Sequence, residues 1–206
     1  SERIIRVERL TRIVDRPPLI VAPYDAELFG HWWYEGPEFL DYFARKLFFD
    51  QKVVELITPG DYLARHSTNQ IAVPGASSCG EEGYYRAWLN ESNEWILPHL
   101  QIEQERMSGL AKKFQKLNPS AKRNDLKNRA LKQAGRELLL AQASDWPFIL
   151  RAGTSPDYAR RRVKDHLLRF ISLHDQLTAT SIDEKWLLQT ESVDNIFPDI
   201  NWTYWK

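Results

Sequence analysis

The chain has 206 residues, 28 basic and 28 acidic side chains, and a formal net charge of zero at pH 7. That balance speaks against a dedicated nucleic-acid binder, whose binding face is ordinarily basic. Its apolar runs fall well short of the roughly 20 residues that cross a bilayer, so no membrane partner is expected. The single cysteine, Cys79, allows no internal disulfide, so a reducing compartment, the cytoplasm, is expected.

The first segment, up to Pro17, is amphipathic. Leu19–Tyr24 (LIVAPY) is short, apolar and rich in β-branched residues, and reads as a buried strand with Asp25 at its carboxyl end. Beyond Pro37 the pattern turns helical, with Phe39, Leu40, Phe43, Ala44, Leu47 and Phe48 in one stripe. Thr58–Pro59 is an N-cap followed by a first helical position. Ser67–Gly83 is a polar loop long enough to suggest a functional or disordered segment. From Asn93 the sequence is mostly helical. Ser155–Pro156–Asp157 starts one helix, and Ser181 with Glu184 fits a capping box for the last. Residues 194–205 read as an aromatic, extended tail. A lone strand needs partners, so its parent sheet or barrel is expected upstream of this chain. The divisions are 1–66 with the strand at 19–24, a loop at 67–92, and a helical domain at 93–206. The fold class is mainly α.

The stretch Pro23–Pro37 (PYDAELFGHWWYEGP) concentrates the residues that could carry chemistry. Three readings compete. It is a turn whose tryptophans belong to a core. Or Asp25, Glu27 and His31 hold a metal ion, although no further His/Asp cluster supports this and no metal is assigned. Or it is a carbohydrate site, in which a carboxyl group protonates a leaving oxygen and indole rings stack on the sugar. The eight tryptophans raise the sugar reading slightly, because indole joins an apolar face to one N–H donor. Elsewhere, His99, His166 and His174 read as hydrogen-bonded helix residues. Trp186, Trp202 and Trp205 read as core or domain-contact residues, and Lys112–Arg129 as a solvated basic connection between helices.

Ala22–Pro37 resembles the fourth signature region of the family-57 glycoside hydrolases, specifically the α-1,4-glucan branching enzymes and their relatives. SSCGEEGYYRAWLN, NEWILPHL, ELLLAQASDWPFIL, GTSPDYARRRVKDHLLRF and DNIFPDI resemble successive blocks of the same family's C-terminal half, in the same order. The resemblance implies an incomplete (β/α) barrel followed by a helical bundle, and a retaining reaction with two carboxylates and no cofactor. It implies that Asp25 is the general acid/base. It implies that Glu27, His31 and Trp32 lie around the bound α-glucan, and that Asp145 and Trp146, the SDW element, reach the sugar cleft from the helical domain. The family's nucleophilic Glu lies on an earlier strand, so the N-terminal barrel portion of the same enzyme is the implied partner, and the chain by itself is expected to be inactive. Two positions depart from the pattern. Cys79 stands where a tryptophan is usual, with Trp88 nine positions on retained, and Glu82 stands where glycine is usual. The alternative is a non-catalytic helical module that binds glucan or protein.

Overall fold

The computed structural model describes residues 2–119 and 126–206. The chain divides into two units, Ser1–Val73 and Pro74–Lys206. Among the described residues there are eight α-helices and no strand.

The first unit holds α1 (Glu2–Thr11), a single π-helical turn (Leu28–Trp32), α2 (Gly36–Phe49) and α3 (Pro59–Arg65). Pro37 sits in the first turn of α2, where its missing N–H costs nothing. Thr58 caps α3 by accepting a hydrogen bond from the Asp61 amide at 3.1 Å. The expected strand at 19–24 does not form: the segment is irregular, and no ladder bonds are made to its backbone. β-branched residues favour a pleated surface, but a strand exists only beside another strand. Gly36 is the one fully buried residue among those described in this unit.

The second unit opens with two short 3₁₀ turns (Glu81–Gly83 and Tyr85–Ala87). There follow α4 (Ile96–Lys113), α5 (Leu126–Ala141), α6 (Asp145–Ala152), α7 (Pro156–Ala179) and α8 (Glu184–Val193), and a 3₁₀ turn at Trp202–Trp205. Residues 124 and 125, expected within the helix that becomes α5, lie outside the described residues, as does 120–123 of the basic connection. From that connection, Lys113 donates to the Thr178 carbonyl at 3.2 Å, and Arg129 bridges Glu184 and Glu191.

Helix α5 is the central element. Ala130, Leu131, Ala134 and Leu138 pack against Met107 and Leu110 of α4 and Phe170, Leu173 and Leu177 of α7. Alanine at 130 and 134, one turn apart, adds little bulk between the neighbouring helices. A second cluster gathers Ile96, Ala141, Trp146, Leu150 and Val163 around α6.

Two expectations at the C-terminal end are corrected. The cap of α8 is Asp183, whose carboxylate accepts from the Trp186 amide at 3.0 Å, so the Ser181–Glu184 box does not form. A side chain next to the first helical residue reaches the free amides more directly than one two residues further back. Nor is the tail simply extended: it ends in the 3₁₀ turn and buries Trp202 completely. The Trp202 Nε1–H donates to Asn128 Oδ1 at 2.6 Å, across 74 residues of sequence. None of the described helices is long and apolar enough to cross a membrane.

Candidate functional site

Asp25 leads into the π-helical turn, with its carbonyl accepting from the Leu28 amide at 3.2 Å. The turn closes where the Trp33 amide donates to the Leu28 carbonyl at 2.9 Å, and α2 begins three residues later. Gly36 is required by close approach: a Cβ there would lie 3.0 Å from Phe29 Cα. Phe29 is thereby held against α2, and aromatic rings run on from it. Tyr24 meets Phe29 edge-on at 5.9 Å, Phe29 meets Trp33 at 5.9 Å, and Trp33 meets Phe39 at 4.9 Å.

The two adjacent tryptophans therefore divide. Trp33 joins the aromatic chain, while Trp32 is 70% exposed, with its ring 5.7 Å from that of His31. Asp25, Glu27 and His31 are also exposed. Pro23, Tyr24, Asp25, Glu27, Leu28 and Trp32 line one open cavity of about 510 Å³. Two carboxylates, an indole and a phenol ring thus share one concave surface, a set suited to holding a sugar and moving a proton at its glycosidic oxygen.

The remaining site candidates lie in the second unit. The loop carrying Cys79 is tightly made. Ser78 Oγ donates to the Tyr84 carbonyl at 2.6 Å and accepts from the Gly80 amide at 3.0 Å, and the Ser78 amide donates to the Gly83 carbonyl at 2.8 Å. A Cβ on Gly80 would come within 2.8 Å of the Tyr84 carbonyl and 3.1 Å of Trp88 Nε1, so the turn lies directly under the indole edge of Trp88. Cys79 is exposed. Glu82 has φ 57°, the left-handed region that glycine enters without steric cost.

Trp88 is half-buried, with its ring 6.2 Å from Phe148 of α6. Asn93, buried, fastens this corner. Its Oδ1 accepts from the Asn90 amide at 2.8 Å, and its Nδ2 donates to the carbonyls of Ala87 and Pro147, both at 3.2 Å. Asp145 and Trp146, adjacent in sequence, differ in placement. Asp145 is exposed in the first turn of α6, whereas Trp146 is buried and its Nε1–H donates to the Leu140 carbonyl at 2.7 Å.

Sequence reasoning passed over one polar cluster. Glu137, His166 and Asp194, from α5, α7 and the segment after α8, bring three metal-ligating atoms within 4.8 Å of one another. The cations there are already supplied by protein: Arg169 pairs with Asp194, and Arg162 lies 3.8 Å from it. His166 Nδ1 shares a hydrogen bond with Glu137 Oε2 at 2.7 Å, while its Nε2 is buried without a partner. Burial pushes the Glu137 carboxyl above the usual range, against the opposing pull of the bonds from His166 and Gln133. Gln133 also donates to the Asp194 carbonyl at 3.0 Å, and Arg136 to the Ile196 carbonyl at 2.8 Å. The cluster ties the chain beyond α8 to α5. His166 is thus a hydrogen-bonded helix residue, as its pattern predicts.

These features define a class, all-helical domains packed around one central buried helix. Residues 99–205 match the family described as 1,4-alpha-glucan branching enzyme, C-terminal, and the chain belongs to that family. Among curated proteins it is 37% identical over 185 residues to a 1,4-alpha-glucan branching enzyme of Thermococcus kodakarensis, covering 87% of this chain and 26% of that protein. It is 30% identical over 156 residues to a probable 1,4-alpha-glucan branching enzyme of Mycobacterium tuberculosis, covering 74% of this chain and 29% of that protein. The chain thus spans little more than a quarter of the curated relatives it matches.

Solved structures agree. The family-57 branching enzyme of T. kodakaraensis, crystallised with glucose, superposes with a TM-score of 0.73 at 34% identity, covering 99% of this chain and 37% of that one. The alpha-amylase AmyC of Thermotoga maritima gives 0.68 at 41% identity, covering 99% of this chain and 36% of that one.

Proposed function

We propose that this chain is the acid/base and glucan-facing part of a retaining α-1,4-glucan branching enzyme acting in the cytoplasm. In this reading residues 1–66 end a catalytic barrel, 67–92 connect, and 93–206 form the helical domain. The observation that carries it is the shared cavity of Asp25, Glu27 and Trp32. Asp25 gives its proton to the glycosidic oxygen as the C1–O4 bond breaks and a carboxylate from the barrel portion takes C1. In the second half, the Asp25 carboxylate removes the proton of an acceptor 6-hydroxyl as the C1–O6 bond forms and the enzyme carboxylate leaves. Trp32 stacks on a glucose ring, and Glu27 and His31 bind hydroxyls. In the helical domain Trp88 stacks and Asp145 accepts hydroxyl hydrogen bonds, while Trp146 anchors the start of α6. The catalytic reaction needs the barrel carboxylate, so the chain alone is inactive.

The experiment is Asp25→Asn in the full-length enzyme. Turnover falls by at least about a hundredfold, the scale of a lost general acid, while α-glucan affinity is retained. Near-normal turnover removes Asp25 from the mechanism.

A second reading shifts the balance from chain transfer to hydrolysis. It is favoured by the exposed thiol of Cys79 at a position where the family pattern has an indole, and by the 41% identity to a protein described as an alpha-amylase. Cys79→Trp raises the share of branched products if a stacking plane at 79 holds the acceptor chain; an unchanged ratio of transfer to hydrolysis rejects that role.

A further inference from the structure

Phe148 stands out on α6. It lies three residues beyond Asp145, which puts the two side chains on one face of the helix. A phenylalanine in a helix that has an apolar core beside it would ordinarily turn inward, as Trp146 and Leu150 of the same helix do. Phe148 instead leaves 51% of its surface exposed. Its ring lies 6.2 Å from that of Trp88, at an interplanar angle of 33°. The two rings come from elements 60 residues apart in sequence and yet form one gently tilted aromatic surface.

That pairing is held from below. The Asn93 carboxamide joins the backbone next to Trp88, at Ala87, to the backbone next to Phe148, at Pro147. Asn93 is itself buried, so the donating end of both bonds is shielded from solvent. On the other side Gly80 leaves no room for a Cβ beneath the Trp88 indole nitrogen. The aromatic pair is therefore built into the fold before any ligand arrives, which lowers the ordering cost of binding. Beside it stands the exposed Asp145 carboxylate. Apolar rings next to a hydroxyl acceptor match a sugar, whose C–H face is apolar and whose rim is polar.

We infer that Trp88 and Phe148 form a two-ring platform on which consecutive glucose units of an α-glucan chain stack, with Asp145 accepting from their hydroxyls. The inference rests on the α-glucan reading given above and adds Phe148 to it. It also gives the helical domain a second ring beside Trp88 even though the loop carries only a thiol at Cys79.

The test is calorimetric titration of maltoheptaose into the natural full-length protein and its variants, with cellohexaose as the linkage control. Phe148→Ala and Phe148→Leu each weaken maltoheptaose binding about fivefold or more, the scale of one lost aromatic stack. Phe148→Tyr retains affinity. The Trp88→Ala/Phe148→Ala double variant loses less than the product of the single losses, as two parts of one surface require. The leucine variant keeps the apolar bulk, so its loss is that of the ring and not of helix packing. If Phe148→Ala binds as wild type while Trp88→Ala is weakened, Phe148 is not part of the platform and the inference fails. If both variants bind as wild type, the platform fails and the α-glucan reading stands. If the unaltered protein fails to bind maltoheptaose, or binds cellohexaose equally, the α-glucan reading itself falls, and the platform with it.

Discussion

The two units of the chain use their apolar residues in opposite ways. In Pro74–Lys206 they converge on two clusters, and Met107, Leu131, Leu138, Phe170 and Leu173 are wholly buried. In Ser1–Val73 the described apolar side chains gather into no buried cluster, and Phe48, Phe49, Val21 and Ile71 are largely exposed. Stability comes chiefly from apolar area removed from water, so the second unit carries what is needed to fold and the first does not. Yet the first unit holds the proposed acid/base. Exposed apolar faces of this extent mark interaction surfaces.

The contrast can be broken most directly by separating the units. A Pro74–Lys206 fragment unfolds cooperatively in urea, whereas Ser1–Val73 alone shows no cooperative transition and rapid amide exchange; a sharp transition in the latter would show a core that the exposed apolar faces conceal. The next largest effect is within the second unit. Trp202→Ala removes a fully buried indole together with its hydrogen bond to Asn128, and lowers the unfolding free energy by about 3–5 kcal/mol. No Trp in the first unit is so enclosed, and Trp32→Ala leaves the unfolding midpoint in place.

A smaller effect follows from Glu137. Its folded-state pKa is raised by burial, so folding takes up a proton in the window between the unfolded value, about 4.3, and the raised folded value. The stability it contributes is present in full below that window and is lost as pH rises through the folded pKa. The difference between wild type and Glu137→Gln in urea unfolding accordingly changes with pH across this window, with wild type relatively weaker on the alkaline side. A pH-independent difference would mean that Glu137 stays ionised in both states. The smallest effect is at the Cys79 loop. Glu82→Gly relieves a left-handed backbone that costs about 1–2 kcal/mol. Part of this is returned as the extra chain entropy of glycine, about 0.5–1 kcal/mol. A net gain of about 0.5 kcal/mol is expected in the denaturation midpoint.

Local chemistry was legible in the sequence wherever a few neighbouring residues decide the outcome. Thr58 caps α3 and Pro37 opens α2 because capping and proline effects act within one turn. The resemblance singles out Asp25 and Trp32 as candidates, but it does not show that Trp32 faces outward while Trp33 joins the aromatic chain; a π-helical turn resets the helical phase at that point. The segment 19–24 has the β-branched composition of a strand but forms no ladder in this chain, because composition records a preference whereas a ladder needs a neighbour. Asp183 displaced Ser181 as a cap by a shift of two residues, which propensity alone does not resolve. The long-range bonds of Asn93, Asn128 and the Glu137–His166 pair are invisible for a different reason: they span 29 to 74 residues, and no local pattern marks them.

The bond from Trp202 to Asn128 sets an order of events during synthesis. Chains fold as they emerge from their N-terminal side, but α4, α5 and α7 lack the largest side chain of their shared core until position 202 has left the ribosome. Completion of this core therefore follows translation of Trp202, and a nascent chain stalled short of that point would offer apolar surface to chaperones.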